Sequence, residues 1–110
     1  MLSTLPQGLT FLGGDFNYIV SPDLDYLGAP DAWPWQAGGL GRWMGDLGLC
    51  DVWRLWNPTS CCYTHTSPAH GSHSRIDLVL LPATDLSCTS AAMILPQGIS
   101  DHAPVLVQVG

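Results

Sequence analysis

The chain has 110 residues, 46% hydrophobic and 11% charged, which suits one modest globular domain with an ordinary core and argues against disorder. Three Lys or Arg against nine Asp or Glu give a net charge of −6, opposite in sign to an electrostatic nucleic-acid binder. No window approaches the ~18 apolar residues of a membrane span. The first ten residues, with no basic side chain, make a poor signal peptide, so a nuclear or cytoplasmic protein is expected.

In chain order, Leu9–Gly13 is a short apolar run that stops at Gly13-Gly14, which predicts a buried strand ending in a turn. Ser21–Trp35 carries Pro22, Pro30 and Pro34 and reads as loop. Leu40, Trp43, Met44 and Leu47 fall at i, i+3, i+4 and i+7, one face of a helix that Gly48 would stop. Gly39, Gly41 and Gly45 weaken that helix.

Asp51–Trp56 is aromatic-rich and closes at the turn signal Asn57-Pro58. Tyr63–Thr66 has strand-like composition, and a polar loop follows over Ser67–Ser74. Ile76–Leu81 is a continuous apolar run interrupted only by Asp77 and ended by Pro82. Ser87–Leu95 is a weaker strand and Pro104–Val109 a strong one. Strand, long loop, helix and several strands indicate a mixed α/β (α+β) layer with an antiparallel component. The cysteines, Cys50, Cys61, Cys62 and Cys88, lack the spacing of a zinc ribbon and are expected to be reduced and partly buried.

Three segments carry polar residues where a core strand would not want them. Asp15 and Asn17 end the first apolar run and, two residues apart on a strand, would point to one side. An Asp-x-Asn turn that merely caps the strand is the plainer reading. Ser74-Arg75-Ile76-Asp77 puts an acid inside an apolar strand, a costly placement unless Asp77 is paired, with Arg75 for instance, or works on something. Ser100-Asp101-His102 offers a carboxylate and an imidazole just before the last strand.

Together they gather Asp15, Asn17, Asp77, Asp101 and His102 at strand ends. Three carboxylates with an amide and an imidazole form a hard-oxygen, magnesium-type environment. Asp77 would orient His102, as a carboxylate orients the base in other dyads. The set is equipment for metal-assisted hydrolysis of a phosphate ester.

Six segments in order resemble the endonuclease/exonuclease/phosphatase superfamily, and most of all the endonuclease domain of non-LTR (LINE-type) retrotransposon polyproteins. They are Gly13-Gly14-Asp15-Phe16-Asn17, Ser21-Pro22-Asp23-Leu24-Asp25, Asp51-Val52-Trp53-Arg54 with Asn57-Pro58, Tyr63-Thr64, Ser74-Arg75-Ile76-Asp77 and Ser100-Asp101-His102-Ala103-Pro104-Val105. The resemblance implies that Asp15 positions or deprotonates the attacking water and that Asn17 donates to the scissile phosphate. It implies that Asp101 helps bind a divalent cation, Mg2+ or Mn2+. His102 would contact the phosphate and stabilise the transition state, with Asp77 holding its ring. Ser74 and Arg75 would be supporting, Arg75 reaching a phosphate or pairing with Asp77. Asp51, Trp53, Arg54 and Trp56 would be structural, a helix end packed on the sheet.

The chain departs from that pattern in one respect. Complete members place the first motif about midway and carry an Asn and a metal-binding Glu before it, yet only fourteen residues precede Asp15 and no Glu occurs anywhere. Residues 1–110 therefore read as the C-terminal half of a four-layer αββα sandwich, a mostly antiparallel sheet with a helix on its outer face. By family the partner is a DNA phosphodiester backbone, with no membrane involved. Arg42, Arg54 and Arg75 are few for that partner, so a phosphatase acting on another phosphoester is the alternative. Without the N-terminal half-domain the chain is expected to be inactive alone and to self-associate through an exposed apolar sheet face.

Overall fold

The computed structural model describes residues 2–5, 9–29, 39–98 and 100–110. Its elements are β1 (Leu2–Leu5), β2 (Leu9–Asp15), α1 (Pro22–Asp25), β3 (Tyr26–Leu27), α2 (Gly39–Leu47), β4 (Leu49–Asp51) and α3 (Val52–Trp56). They continue with β5 (His65–Ser67), β6 (Ser72–Ser74), β7 (Asp77–Pro82), a 3-10 turn at Ala83–Cys88, β8 (Thr89–Ile94) and β9 (Val105–Val109). The strands form a four-stranded sheet in the order β1-β2-β7-β4, a three-stranded sheet β3-β6-β5 and the hairpin β8-β9. Every pairing is antiparallel.

An unbroken apolar run has to be covered on both faces, and β7 is. Alternation sends Leu78 and Leu80 to one face, where they pack with Met44 of α2 and with Leu12, Phe16 and Leu49. Leu81 and Val79 go to the other, against Val52 and Trp53 of α3, Ala92 of β8 and Val107 of β9. A helix therefore lies outside one face of the sheet while a second sheet lies over the other, as the layered reading required.

The helix at Gly39–Leu47 forms, but its apolar stripe is only half used. Leu40 and Met44 pack on the sheet, whereas Trp43 and Leu47 are exposed. Gly48 ends it in the left-handed region at φ 66°, a conformation that costs glycine little. The expected loop over Ser21–Trp35 begins instead with a helical turn and a short strand. Pro22 starts that turn, and the Asp25 carboxylate accepts the backbone N–H of Ser21, closing it. The end of that stretch, residues 30–35, lies outside the described residues.

The polar stretch after Tyr63 is a hairpin rather than a strand followed by a loop. His65 pairs with Ser74, Thr66 with His73 and Ser67 with Ser72 around a turn at residues 68–71. Serines 72 and 74 are small enough for their strand to be buried without large apolar side chains. All four cysteines are free thiols, Cys50 half-buried and the other three exposed, so the expectation of partial burial holds for Cys50 alone. Among the described residues no helix is long and apolar enough to cross a membrane.

Candidate active site

Strand β2 ends at Asp15 and strand β7 begins at Asp77, and the register makes these two residues direct cross-strand partners. Opposed like charges weaken a sheet, so a pair of carboxylates at its end has to be compensated. The compensation is His102, delivered by the segment between β8 and β9. Its Nδ1 meets Asp77 Oδ2 at 2.8 Å, and its Nε2 stands 3.9 Å from Asp15 Oδ2 and 4.0 Å from Asp101 Oδ1. The hydrogen bond to Asp77 outweighs partial burial and, with the charges of Asp77, Asp15 and Asp101, raises the imidazole pKa above its usual 6.5.

A buried threonine fixes this arrangement. Thr64 is wholly inaccessible, and its Oγ1 accepts the backbone N–H groups of both Ile76 and Asp77 at 3.1 Å. Its own N–H donates to Ser74 O and its carbonyl accepts the N–H of Ala103, next to His102, at 2.6 Å. One residue therefore ties the start of β7 to the His102 segment. The backbone N–H of His102 donates in turn to Ser100 Oγ, and the N–H of Thr66 donates to Asp101 O.

Asp15, Asp77, Asp101 and His102 are thus brought together; the other expected residues are placed differently. Asn17 lies beyond the end of β2, at φ 49°, and its N–H donates to Asp15 Oδ1 at 2.8 Å. The relation between the two is a local turn rather than a shared strand face. Ser74 is buried at the end of β6 and serves through its backbone pairing with Tyr26, His65 and Thr64.

Arg75 pairs neither with Asp77 nor with anything at the cleft. Residues 75 and 76 lie between two strands, so the alternation that would put Arg75 beside Asp77 does not operate there. The guanidinium, 1% exposed, instead bonds both oxygens of buried Asp25 and both of Asp51. Arg54 completes the cluster on Asp25, and both guanidiniums lie 4.9 Å from the Trp53 ring centre. Burial works against the Arg75 charge, but the hydrogen bonds it donates to Asp51 and Asp25 prevail and raise its pKa above the usual arginine value.

The carboxylates also suit a hard cation. One ligand atom from each of Asp15, Asp77 and His102 lies within 4.8 Å of the others, and the same holds for His65, Asp101 and His102. Neither group contains a cysteine. The oxygens of Asp15, Asp77 and Asp101 match the donors that Mg2+ or Mn2+ prefers, with water completing the shell. Asp77 and His102 stand at the edge of an open cleft of about 420 Å³ walled by Phe11, Gly13, Gly14, Val79 and Val105.

Two residues of this neighbourhood escaped the sequence reading of the site. Thr64 appeared there only as part of a Tyr-Thr match, and His65 had no role. The signal for His65 was its place directly after that match, and an isolated β-bridge now sets it against His102 with ring centres 4.7 Å apart.

A helix and a second sheet thus flank the central sheet, with the Asp77–His102 pair at the strand ends. The family model described as Endonuclease/Exonuclease/phosphatase family matches residues 2–102, and the chain belongs to that family. Over 93 residues, 83% of the chain, it is 30% identical to the Transposon TX1 uncharacterized 149 kDa protein of Xenopus laevis, of which it spans 7%. The 3'-5' exonuclease NExo from Neisseria meningitidis is similar in structure, with a TM-score of 0.70 at 25% identity over 90% of this chain. The 3' phosphatase NExo from Neisseria bound to a product DNA hairpin superposes as well, with a TM-score of 0.70 over 91% of the chain, and at 24% identity it speaks for the fold alone. The chain spans 44% of each of these two structures.

Proposed function

We propose that the site hydrolyses phosphodiester bonds of a DNA backbone with a divalent cation, as the endonuclease of a retroelement, and that this chain carries only the Asp–His part of it. The observation that carries the reading is the carboxylate–imidazole–carboxylate row Asp77–His102–Asp15, of which Asp77 and His102 line the cleft. Asp77 accepts the Nδ1 proton of His102, which leaves Nε2 as the nitrogen turned toward Asp15 and Asp101. The Asp77 hydrogen bond and the nearby charges raise the His102 pKa, which favours the protonated ring that donates from Nε2 to the phosphoryl oxygen on which negative charge develops. Asp15 orients the attacking water and takes its proton, and Asn17 donates to the scissile phosphate. Asp101 would help hold the cation, Mg2+ or Mn2+, which would supply positive charge to the phosphate.

The complement of donors is smaller than this chemistry uses, because the sequence has no Glu to share the cation. The cationic surface is smaller still. Arg75 and Arg54 are committed to Asp25 and Asp51, which leaves Arg42, exposed on α2, to meet a polyanion. Both shortages support a chain that corresponds to the C-terminal half of the sandwich and is inactive by itself.

Nicking of supercoiled plasmid in magnesium tests both parts. The purified chain is expected to show none above its His102→Ala background. Joined to the part of the Neisseria exonuclease that lies outside the match, it is expected to nick, and His102→Ala is expected to abolish that activity. Nicking by the chain alone that His102→Ala removes would sink the half-site reading. A folded fusion that never nicks would sink the phosphodiesterase itself.

A further inference from the structure

We propose that His65, Asp101 and His102 form a transition-metal site of the zinc class, separate in its chemistry from the hard-cation set. The phosphodiesterase reading gives His65 no task, yet its Nε2 lies 3.6 Å from Asp101 Oδ2. His102 Nε2 lies 4.0 Å from the other oxygen of the same carboxylate. Ligands held about 2.1 Å from a tetrahedral zinc stand about 3.4 Å from one another, and one ligand atom of each of the three residues lies within 4.8 Å of the others, so small side-chain shifts close the shell. Two imidazole nitrogens and one carboxylate oxygen are a set that zinc accepts readily and magnesium does not. Three protein ligands also leave the fourth position open for water.

The supports are already built. The β-bridge between His65 and His102 sets the two rings 4.7 Å apart, and the Thr66 N–H to Asp101 O bond anchors the third ligand to the same strand. Asp77 holds Nδ1 of His102, the outer carboxylate that a metal-binding histidine almost always has. An ion seated here occupies Nε2 of His102 and takes that nitrogen away from any phosphate. This last consequence rests on the function proposed above; the binding does not.

The test is titration of the metal-free chain with zinc chloride by calorimetry at mildly alkaline pH. One zinc per chain is expected. Affinity is expected to fall at least tenfold in His65→Gln and in Asp101→Asn, and about 10–100-fold in Asp77→Asn through the outer shell. His70→Gln, on the exposed turn between β5 and β6, is expected to bind as the wild type does. Unchanged zinc affinity in His65→Gln would overturn the site. Cobalt(II) added to the wild-type chain keeps the question open to refutation should a variant fail to fold. An intense four-coordinate visible band supports the site, and the faint spectrum of a six-coordinate ion rejects it. Because no DNA enters either measurement, zinc binding without nicking in any context would remove the phosphodiesterase reading and leave this one standing.

Discussion

Asp15 and Asp77 face each other directly across the β2–β7 pair, and the His102 ring spans them, with one nitrogen turned to each carboxylate. When the imidazole is neutral, this is two like charges side by side on an antiparallel sheet, an arrangement that costs up to about 1 kcal/mol. Asp15→Asn keeps the Oδ1 acceptor for the Asn17 N–H and removes the charge. Urea denaturation at mildly alkaline pH and low salt is expected to show the variant about 0.2–1 kcal/mol more stable, the gain shrinking as salt screens the exposed pair. A less stable variant at low salt would contradict the repulsion.

The His102–Asp77 bond gives a pH dependence of known sign. A folded-state pKa raised above the ordinary 6.5 means that the contribution is fully present below the unfolded value and is lost as pH rises through the folded one. In the metal-free chain, the stability difference between wild type and Asp77→Asn is therefore expected to be largest in mild acid and to narrow on the alkaline side. The His102 ring proton followed by NMR is expected to titrate above its usual range in wild type and lower in Asp77→Asn. An identical midpoint in both proteins would remove Asp77 as the cause.

Arg75 and Arg54 share Asp25 but are not equivalent. Arg75 is buried with two carboxylates, whereas Arg54 also bonds the carbonyls of Asn57 and Ser60 and is partly exposed. Removing Arg75 leaves Asp51 and part of Asp25 as uncompensated charge, so Arg75→Met is expected to cost about 3–5 kcal/mol in denaturant unfolding. Arg54→Met is expected to cost less, because Arg75 still holds both carboxylates. Arg75→Lys is not expected to rescue, since a single ammonium cannot serve four oxygens in a plane. Equal losses in the two methionine variants would show that the cluster is not organised around Arg75.

The outer strand β9 and its partner leave apolar side chains in solvent, Leu106 and Val109 each 46% exposed and Met93 close to that. With so many on one small chain, light scattering is expected to report association of copies at roughly tens of micromolar. A clean monomer at that concentration would show that these exposed side chains do not drive association.

The sequence made the layers legible because they rest on local pattern. The apolar run at Ile76–Leu81 had to be a core strand, and Leu40 with Met44 had to be a helix face. The meeting of Asp15, Asp77 and His102 was legible only through several motifs taken together, since no short-range rule brings residues so distant into contact. Arg75 was misread because strand alternation was applied across a break between strands, and its true partner Asp25 lies 50 residues away. The β5–β6 hairpin was read as strand and loop because serines and histidines carry little β-propensity. Burial of small polar strands depends on neighbours that the local sequence does not contain.

Thr64 gives the site an order in time. Its hydroxyl reaches residues 12 and 13 positions away, and the imidazole it helps to seat meets an acid 25 positions from its own. Closing such loops costs entropy that only finished contacts return. The start of β7 meets the Thr64 hydroxyl and the His102 segment meets its carbonyl, so both need this residue in place before they reach their final positions. The Asp–His cluster is accordingly a product of completed folding rather than a template for it, and a chain caught partway would have its sheets without that cluster.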